Sequence, residues 1–433
     1  MRSNVALSLT TILLLSFSSV HAMKFQTLGY KALGMGGASV ANSASSLAAY
    51  NNPALLGQQK NSAEISAGVG VGVIDYGVLN ELKKLDDNGY GDALDKAGNN
   101  PGDLTTEEKN VLIEGTEGII NLDGEGVALE PQAYIGVQLS NIGFGIFEST
   151  DANFLATVDQ DHDKLYFKSD VTGTLKYSDL EGNDDITKDE YEARSIEYAL
   201  ENDLTYLNQK AVALVEIPLA YGHRFNTRIG KVMVGGAFKY MQAITINEHF
   251  KITDPAEKEE NSDQTSQQKQ SENFGIDLGL AYVPSFARSL TLGLVAKNLN
   301  SPSFDFGDGS KYTIEPLVRL GLSYQLFNTL EFAADLDLTS NKFIYEGVEN
   351  RMMGGGVSYE PFSSFFLLAL RAGAMKNLDN NDHLGLIYTA GIGAGFKWFS
   401  LDLSAQAAQS TSEIQGYPIP QQSKVNLALI SRW

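Results

Sequence analysis

The chain of 433 residues contains no cysteine. That removes disulfides, thiolate nucleophiles, cysteine metal sites and any thioredoxin-like redox role together. Histidine is almost as scarce. The five, His21, His162, His223, His249 and His383, include no pair at the i, i+4 spacing of a helical zinc site. There is no local His-x-Ser signature of a lipid-facing serine hydrolase, so a barrel enzyme is disfavoured. Basic residues are also in deficit: 32 Lys and Arg against 53 Asp and Glu give a net charge of −21. No basic stripe is present to neutralise phosphates, which argues against a nucleic-acid partner. Beyond the first 22 residues no run reaches the roughly 18 apolar residues of a membrane helix. Acidic clusters at 86–88, 179–185 and 305–309 read as solvated turns: Asp179 has Asp184 where a calcium loop requires glycine, and Asp86 has Ala97 where it requires glutamate. Gly34-Met35-Gly36-Gly37 lacks the lysine and the strand–helix context of a phosphate loop. No metal, cofactor or catalytic residue is expected.

What is present begins with an export signal. Arg2, an apolar core over 5–17 and a small-residue exit ending Val20-His21-Ala22 predict a signal peptide over residues 1–22. Residues 23–58 follow as a small, apolar, almost uncharged segment. Three glycines in four residues suit backbone pressed against something else. Asn52-Pro53 then ends any helix running over 42–50. The segment is read as a plug.

From residue 59 onward one pattern repeats, an alternation of apolar and polar residues with period two. Runs at 64–73, 127–139, 142–158, 211–221, 232–240, 274–282, 290–296, 318–324, 330–338, 353–359, 366–374, 386–398, 399–407 and 425–433 predict about fourteen strands. The connections alternate between long and short throughout, as the outer loops and periplasmic turns of an outer-membrane barrel do. The expected fold is therefore all-β: a transmembrane antiparallel β-barrel over 59–433, with the N-terminal plug inside it and both termini periplasmic. Helical spacing at 76–84, 104–120 and 189–204 predicts partly helical outer loops, and the polar run 251–271 reads as a mobile one. Charges facing lipid at the bilayer midplane are costly, so Asp277, Arg319, Asp335, Asp337, Arg371 and Asp402 are placed on a polar face toward the lumen. Tyr221, Tyr282, Tyr324, Tyr359 and Trp398 fit an interfacial girdle. Gly68-Gly70-Gly72 and Gly354-Gly355-Gly356 are candidate strand kinks for a lateral exit, or simply room for the plug.

The chain ends in an alternating strand closed by an aromatic, with Leu427, Leu429 and Trp433 in phase. This resembles the C-terminal signal read by the barrel-assembly machinery. Gly34-Met35-Gly36-Gly37-Ala38, then Val40-Ala41 and Asn52-Pro53-Ala54-Leu55, resembles the N-terminal signature of the FadL-type (TodX-like) outer-membrane transporter superfamily, and the arrangement is similar to its TraF-like, conjugal-transfer branch. The resemblance implies that Gly34, Met35, Gly36, Gly37, Asn52 and Pro53 belong to a hatch inside a fourteen-stranded barrel. It implies passive uptake of small hydrophobic molecules across the bacterial outer membrane. The alternative it carries is a non-transporting protein of conjugation, envelope assembly or attachment. The acidic pair usual between the glycines and Asn-Pro-Ala is replaced here by Asn42-Ser43-Ala44-Ser45-Ser46, which puts a charge-based hatch latch in doubt. Expected partners are outer-membrane lipid and lipopolysaccharide, the barrel-assembly machinery and a hydrophobic small molecule.

Overall fold

A computed structural model describes residues 27–58, 62–171, 174–183, 185–250, 252, 268–342, 349–361, 365–379, 384–396, 398–414 and 417–433. The predicted signal peptide, with His21, His383 and most of the polar run 251–271, lies outside the described residues. Fourteen strands form the wall. They are β1 (Ala63–Asp75), β2 (Gln132–Leu139), β3 (Ile142–Thr157), β4 (Tyr206–Thr227), β5 (Gly230–Phe250), β6 (Lys269–Pro284) and β7 (Leu290–Lys297). The remainder are β8 (Leu317–Leu326), β9 (Leu330–Asp337), β10 (Met352–Tyr359), β11 (Phe366–Asn377), β12 (Leu386–Phe396), β13 (Phe399–Ala408) and β14 (Gln422–Arg432). Each pairs antiparallel with its sequence neighbours, and β1 pairs with both β2 and β14, so the sheet closes on itself. Closure leaves no unpaired edge, which is the condition for a sheet to stand in hydrocarbon.

The alternation read from the sequence becomes an apolar outside and a polar inside. Ile135, Leu278, Leu320, Ile392, Leu403 and Leu427 point outward and are about half exposed, while Gln138, Asp277, Arg319 and Asp402 point inward and are buried. Among the described residues no helix is long and apolar enough to cross a membrane. The two strands flanking the longest loops run well past the apolar band: β4 and β5 pair over their full lengths, from Leu207 opposite Phe250 to Thr227 opposite Gly230. Two sequence expectations are corrected. The run 127–139 is two strands, Gly126–Leu129 and Gln132–Leu139, because Pro131 has no N–H to give the ladder. The strand expected to end at Trp398 stops at Phe396.

The first two long loops fold together into a cap with its own core. Helices α3 (Val78–Asp87), α4 (Tyr90–Asn99) and α5 (Thr106–Asn121), then α6 (Lys188–Arg194) and α7 (Ile196–Glu201), bury Tyr90, Leu112, Ile119, Phe167, Ile196 and Leu200. (α1 and α2 lie in the plug, below.) The acid-rich faces point to solvent. Residues 76–125 carry twelve acidic against four basic side chains and 158–205 fourteen against five, so the cap holds most of the chain's negative charge. Helices cover most of 76–84 and 104–120 as expected, the run 189–204 is two short helices that meet at Ser195, and α4 lies outside the expected runs. A hairpin, Ser303–Asp305 with Lys311–Thr313, leans over the same end of the lumen, where Phe304, Phe306 and Tyr312 pack on Val212, Leu214 and Met241.

Candidate functional site: the plugged lumen

Residues 27–58 cross the inside of the barrel near its short-turn end. They form α1 (Tyr30–Gly34), α2 (Ala48–Asn51) and a 3-10 helix (Pro53–Gln58), with turns between. The helix expected over 42–50 is confined to Ala48–Asn51; the serines before it form turns, their short polar side chains competing for backbone bonds. Gly34, Met35, Gly36, Gly37, Asn52 and Pro53 all lie in this segment and are buried. The only charge among its described residues is Lys31.

The wall is shaped to the plug. Ten strands turn a glycine toward it at one height: Gly136 and Gly143 under Ser46, Ala49 and Leu56; Gly222, Gly235 and Gly279 under Asn52–Ala54; Gly293 and Gly321 under Val40; Gly354, Gly356, Gly373 and Gly391 under Gly34–Gly36. A Cβ at Gly356 would stand 2.7 Å from the Met35 Cα, and one at Gly293 2.5 Å from the Val40 carbonyl oxygen. Gly36 answers in kind. Its φ of +62° and the backbone of β10 and β11 against its α-carbon exclude a side chain from both sides.

The four strands without such a glycine, β1, β9, β13 and β14, offer polar side chains to the plug instead. On β9, Asp335 accepts the N–H groups of Ser39 at 2.7 Å and Val40 at 3.0 Å. On β1, Glu64 accepts the Ser46 N–H at 3.1 Å and its hydroxyl at 3.0 Å. Ser404 on β13 donates to the Tyr30 carbonyl at 2.7 Å, and Arg432 on β14 donates to the Tyr30 hydroxyl at 3.1 Å. The plug itself carries no carboxylate; the carboxylates that meet it stand on the wall, and the donors are the plug's backbone and Ser46. At the turn end Lys31 adds an ion pair to Glu331 at 2.7 Å. Inside the plug, Asn52 donates to the Val40 carbonyl at 2.8 Å and accepts the Ala54 N–H at 3.1 Å, stitching its two arms.

On the cap side of the plug lies a layer of buried charge. Lys239 bonds Glu216 at 2.5 Å and Asn298 at 2.7 Å, and pairs with Asp277 at 3.2 Å. Arg319 and Asp337 form a two-pronged pair at 2.5 and 2.9 Å. Lys297 stands 3.6 Å over the ring of the plug's Tyr50. Arg371 and Asp402 pair at 2.5 Å beside α1. So the six charged residues placed toward the lumen split into this layer (Asp277, Arg319, Asp337), a latch (Asp335) and a pair against α1 (Arg371, Asp402).

Apart from the interruption at Glu130-Pro131, where Gly72 and Glu130 still exchange backbone hydrogen bonds, the ladder of the wall breaks once. The β3–β4 register runs from Phe144 opposite Leu219 to Phe147 opposite Glu216, and the two intervening pairs, which include Pro218, are missing. Every other barrel pairing is unbroken over its described span. Behind the gap Phe147 stacks on Tyr50 at 4.8 Å and on Tyr134 at 6.4 Å. By contrast the two glycine runs proposed as kinks are fully paired. Gly68, Gly70 and Gly72 make room for Tyr134, Gln132, Glu130 and Lys424 from flanking strands, and Gly354 and Gly356 make room for the plug.

In the cap, Lys96 and the Thr105 capping box hold Glu108 down to about 2, while burial pushes Glu197 up to about 7 even though it accepts the Tyr191 hydroxyl at 2.9 Å. Asp159 is held below its usual range by His162, 3.0 Å away. Among the described residues no three His, Asp or Glu side chains converge as a metal site. At the other end of the chain, Leu427 and Leu429 face outward, and Trp433 is exposed with its carbonyl accepting the Ser62 and Ala63 N–H groups.

Comparison with known proteins agrees with this architecture. A family model described as "F plasmid transfer operon, TraF, protein" matches residues 49–337. No curated protein matches the sequence. Among solved structures the chain is similar to the P. putida toluene transporter TodX, with a TM-score of 0.50 and 12% identity over 94% of this chain and 98% of that one. It is also similar to a Pseudomonas aeruginosa FadL homologue, with a TM-score of 0.45 and 10% identity over 96% of this chain and 99% of that one. At such identities the likeness is one of fold.

Proposed function

We propose, from the premise that this chain belongs to the family of F plasmid transfer operon TraF proteins, that it is a plugged outer-membrane barrel through which small hydrophobic molecules pass without energy input. The observation that carries the reading is the coincidence of the gap between β3 and β4 with the plug's aromatic contact. Straight passage through the lumen would take an apolar molecule across the charge layer, a costly route in a low-dielectric interior. Sideways passage avoids it. A shift of Tyr50 away from Phe147 uncovers an aromatic surface against the stretch where β3 and β4 share no ladder bonds, and an apolar molecule leaves there into the bilayer. No covalent step is needed. The fold it shares with a toluene transporter supports this reading by analogy alone.

In this proposal the short turns and both chain ends are periplasmic and the acidic cap faces outward. A second reading, a non-transporting envelope protein of conjugative transfer or attachment, is favoured by the family itself and by the separately cored cap, whose acidic faces would be the working surface.

The test is uptake of a small apolar fluorophore by proteoliposomes, run beside single-channel recording. Wild type is compared with a variant lacking residues 33–56 and with Pro218→Ala, which restores an N–H to the gap. Uptake by wild type, slowed by Pro218→Ala with ion conductance unchanged, supports lateral passage. A wild type that takes up nothing and a deletion that passes only ions would end the transport reading and leave the second.

A further inference from the structure

At the plug end of the barrel, the two neighbouring turns after β4 and β6 and their flanks carry Arg224, Arg228, Lys231 and Arg288 and no acidic residue, in a chain of net charge −21. None of the four has an ion-pair partner among the described residues. The carboxylates at this end are already matched: Glu64 with Arg432 at 3.0 Å, Glu331 with Lys31 at 2.7 Å and Glu360 with Arg371 at 3.7 Å. Strand phase sets where the free cations lie. Arg224 is in phase with inward Gly222, and Lys231 with inward Met233 and Gly235, whereas Tyr221 and Phe225 are in the outward phase. Arg288 lines a polar vestibule of about 460 Å³ beneath the plug, together with Gln325, Asn328 and the ion-paired Lys31, Glu331 and Glu360.

The next turn belongs to the same surface, because the Gln325 N–H donates to the Ser289 carbonyl at 2.9 Å. Its tip is Phe327-Asn328, both left-handed at φ +53° and +58°. Asparagine or glycine sits there easily; an aromatic residue does not. Phe327 is 83% exposed and Phe286, on the adjoining turn, 87% exposed, so neither gains from packing within the chain. A strained, unpacked aromatic beside unpaired cations points to a function outside the fold.

We propose that this rim docks an acidic, extended segment of a second protein. The cations take its carboxylates, the amide and hydroxyl side chains of the vestibule take its backbone, and Phe286 and Phe327 take its apolar residues. Charge complementarity selects the partner's sign. The inward placement of Arg224, Lys231 and Arg288 selects protein over membrane, since lipid headgroups lie outside the wall. Locating the partner in the periplasm rests on the orientation proposed above; the surface itself does not.

The full chain in zwitterionic nanodiscs, with both faces accessible, is titrated against a short fluorescein-labelled peptide of alternating glutamate and leucine. Empty nanodiscs and a glycine–serine peptide are the blanks, and anisotropy is read at about 50 and about 300 mM salt. The glutamate peptide is expected to bind, to weaken with salt, and to lose about tenfold in affinity in R228E/R288E. F286S/F327N, which relaxes the turn, is expected to weaken binding with less salt dependence. Heat-modifiable gel mobility checks that each variant is folded. Binding that R228E/R288E leaves unchanged overturns the proposal. So does a variant effect seen only on phosphatidylglycerol vesicles, which would make the rim a lipid contact. Apolar uptake is measured separately, so loss of either result does not decide the other.

Discussion

Removing the Asp335 carboxylate should unseat the plug while leaving the barrel standing. In the native chain this group accepts two buried plug N–H groups, at 2.7 and 3.0 Å, and Asp335→Ala leaves both without an acceptor. A buried donor so abandoned costs about 1–3 kcal/mol. Both together come to about 2–6 kcal/mol, and even the middle of that range raises the ratio of displaced to seated plug by more than about a hundredfold. The ladder that holds β9 between β8 and β10 is backbone and survives the change. Asp335→Asn keeps one acceptor and should fall between. Ser39→Ala loses only a 3.4 Å hydroxyl contact and should behave as wild type. Planar-bilayer recording at fixed voltage is the assay, with heat-modifiable mobility reporting the barrel. Openings should become frequent in Asp335→Ala, fewer in Asp335→Asn and rare in Ser39→Ala. A folded Asp335→Ala as quiet as wild type would refute the assignment of Asp335 as a latch.

Three further outcomes follow from the same geometry. Gly293→Ala places a Cβ 2.5 Å from the Val40 carbonyl oxygen, with backbone on both sides; overpacking of about 1–3 kcal/mol should appear as a lower melting temperature or a leak. Asp337→Ala removes both prongs of the Arg319 pair and also the acceptor of the Met352 N–H, so a loss of about 3–5 kcal/mol is expected in denaturant melts, with Arg319→Met/Asp337→Leu recovering much of it. Glu197, pushed by burial from 4.5 up to about 7, binds its proton more tightly folded than unfolded. Its contribution is therefore fully present below about pH 4.5 and is lost as pH rises through 7, by roughly 3 kcal/mol in total. Hydrogen exchange in α7, corrected for intrinsic rate, should speed up between pH 5 and 8 in wild type and much less in Glu197→Gln.

The sequence made the wall legible because lipid and lumen impose opposite chemistry on alternate residues, and that period survives in nearly every strand. It disclosed the plug because Gly34 to Gly37 and Asn52-Pro53 are unusual in any other setting. The outer parts of β4 and β5 went unread, since above the apolar band both faces of a strand are wet or cap-covered and the alternation fades. Helix α4, with Gly91 and Gly98 inside it, is too weak a helix former to stand out and is held by Tyr90, Ala93 and Ala97 in the cap core. The wall's carboxylate contacts to the plug are legible only in the structure, since in sequence Asp335 and Glu64 are indistinguishable from ordinary inward charges. A signal for the girdle was available. Inward-phase glycines recur a few residues from each short turn, as at Gly136, Gly143, Gly222, Gly235, Gly279 and Gly293, but only the shared height gives them meaning. The Pro218 gap was equally visible as a proline in mid-strand.

The bare belt of the wall also fixes what an emptied barrel would be. Ten strands at that height present peptide backbone, so an emptied tube is wide where the plug now sits and is next constricted by the ring of Lys239, Lys297, Arg319 and their carboxylates just beyond. In electrical terms these are two resistors in series, and the larger is the charged ring. The leak of a plug-deleted barrel would thus take its ion selectivity and rectification from the charged side chains on the cap side of the plug, Lys297 over Tyr50 among them, and substitutions in the belt would leave both unaltered.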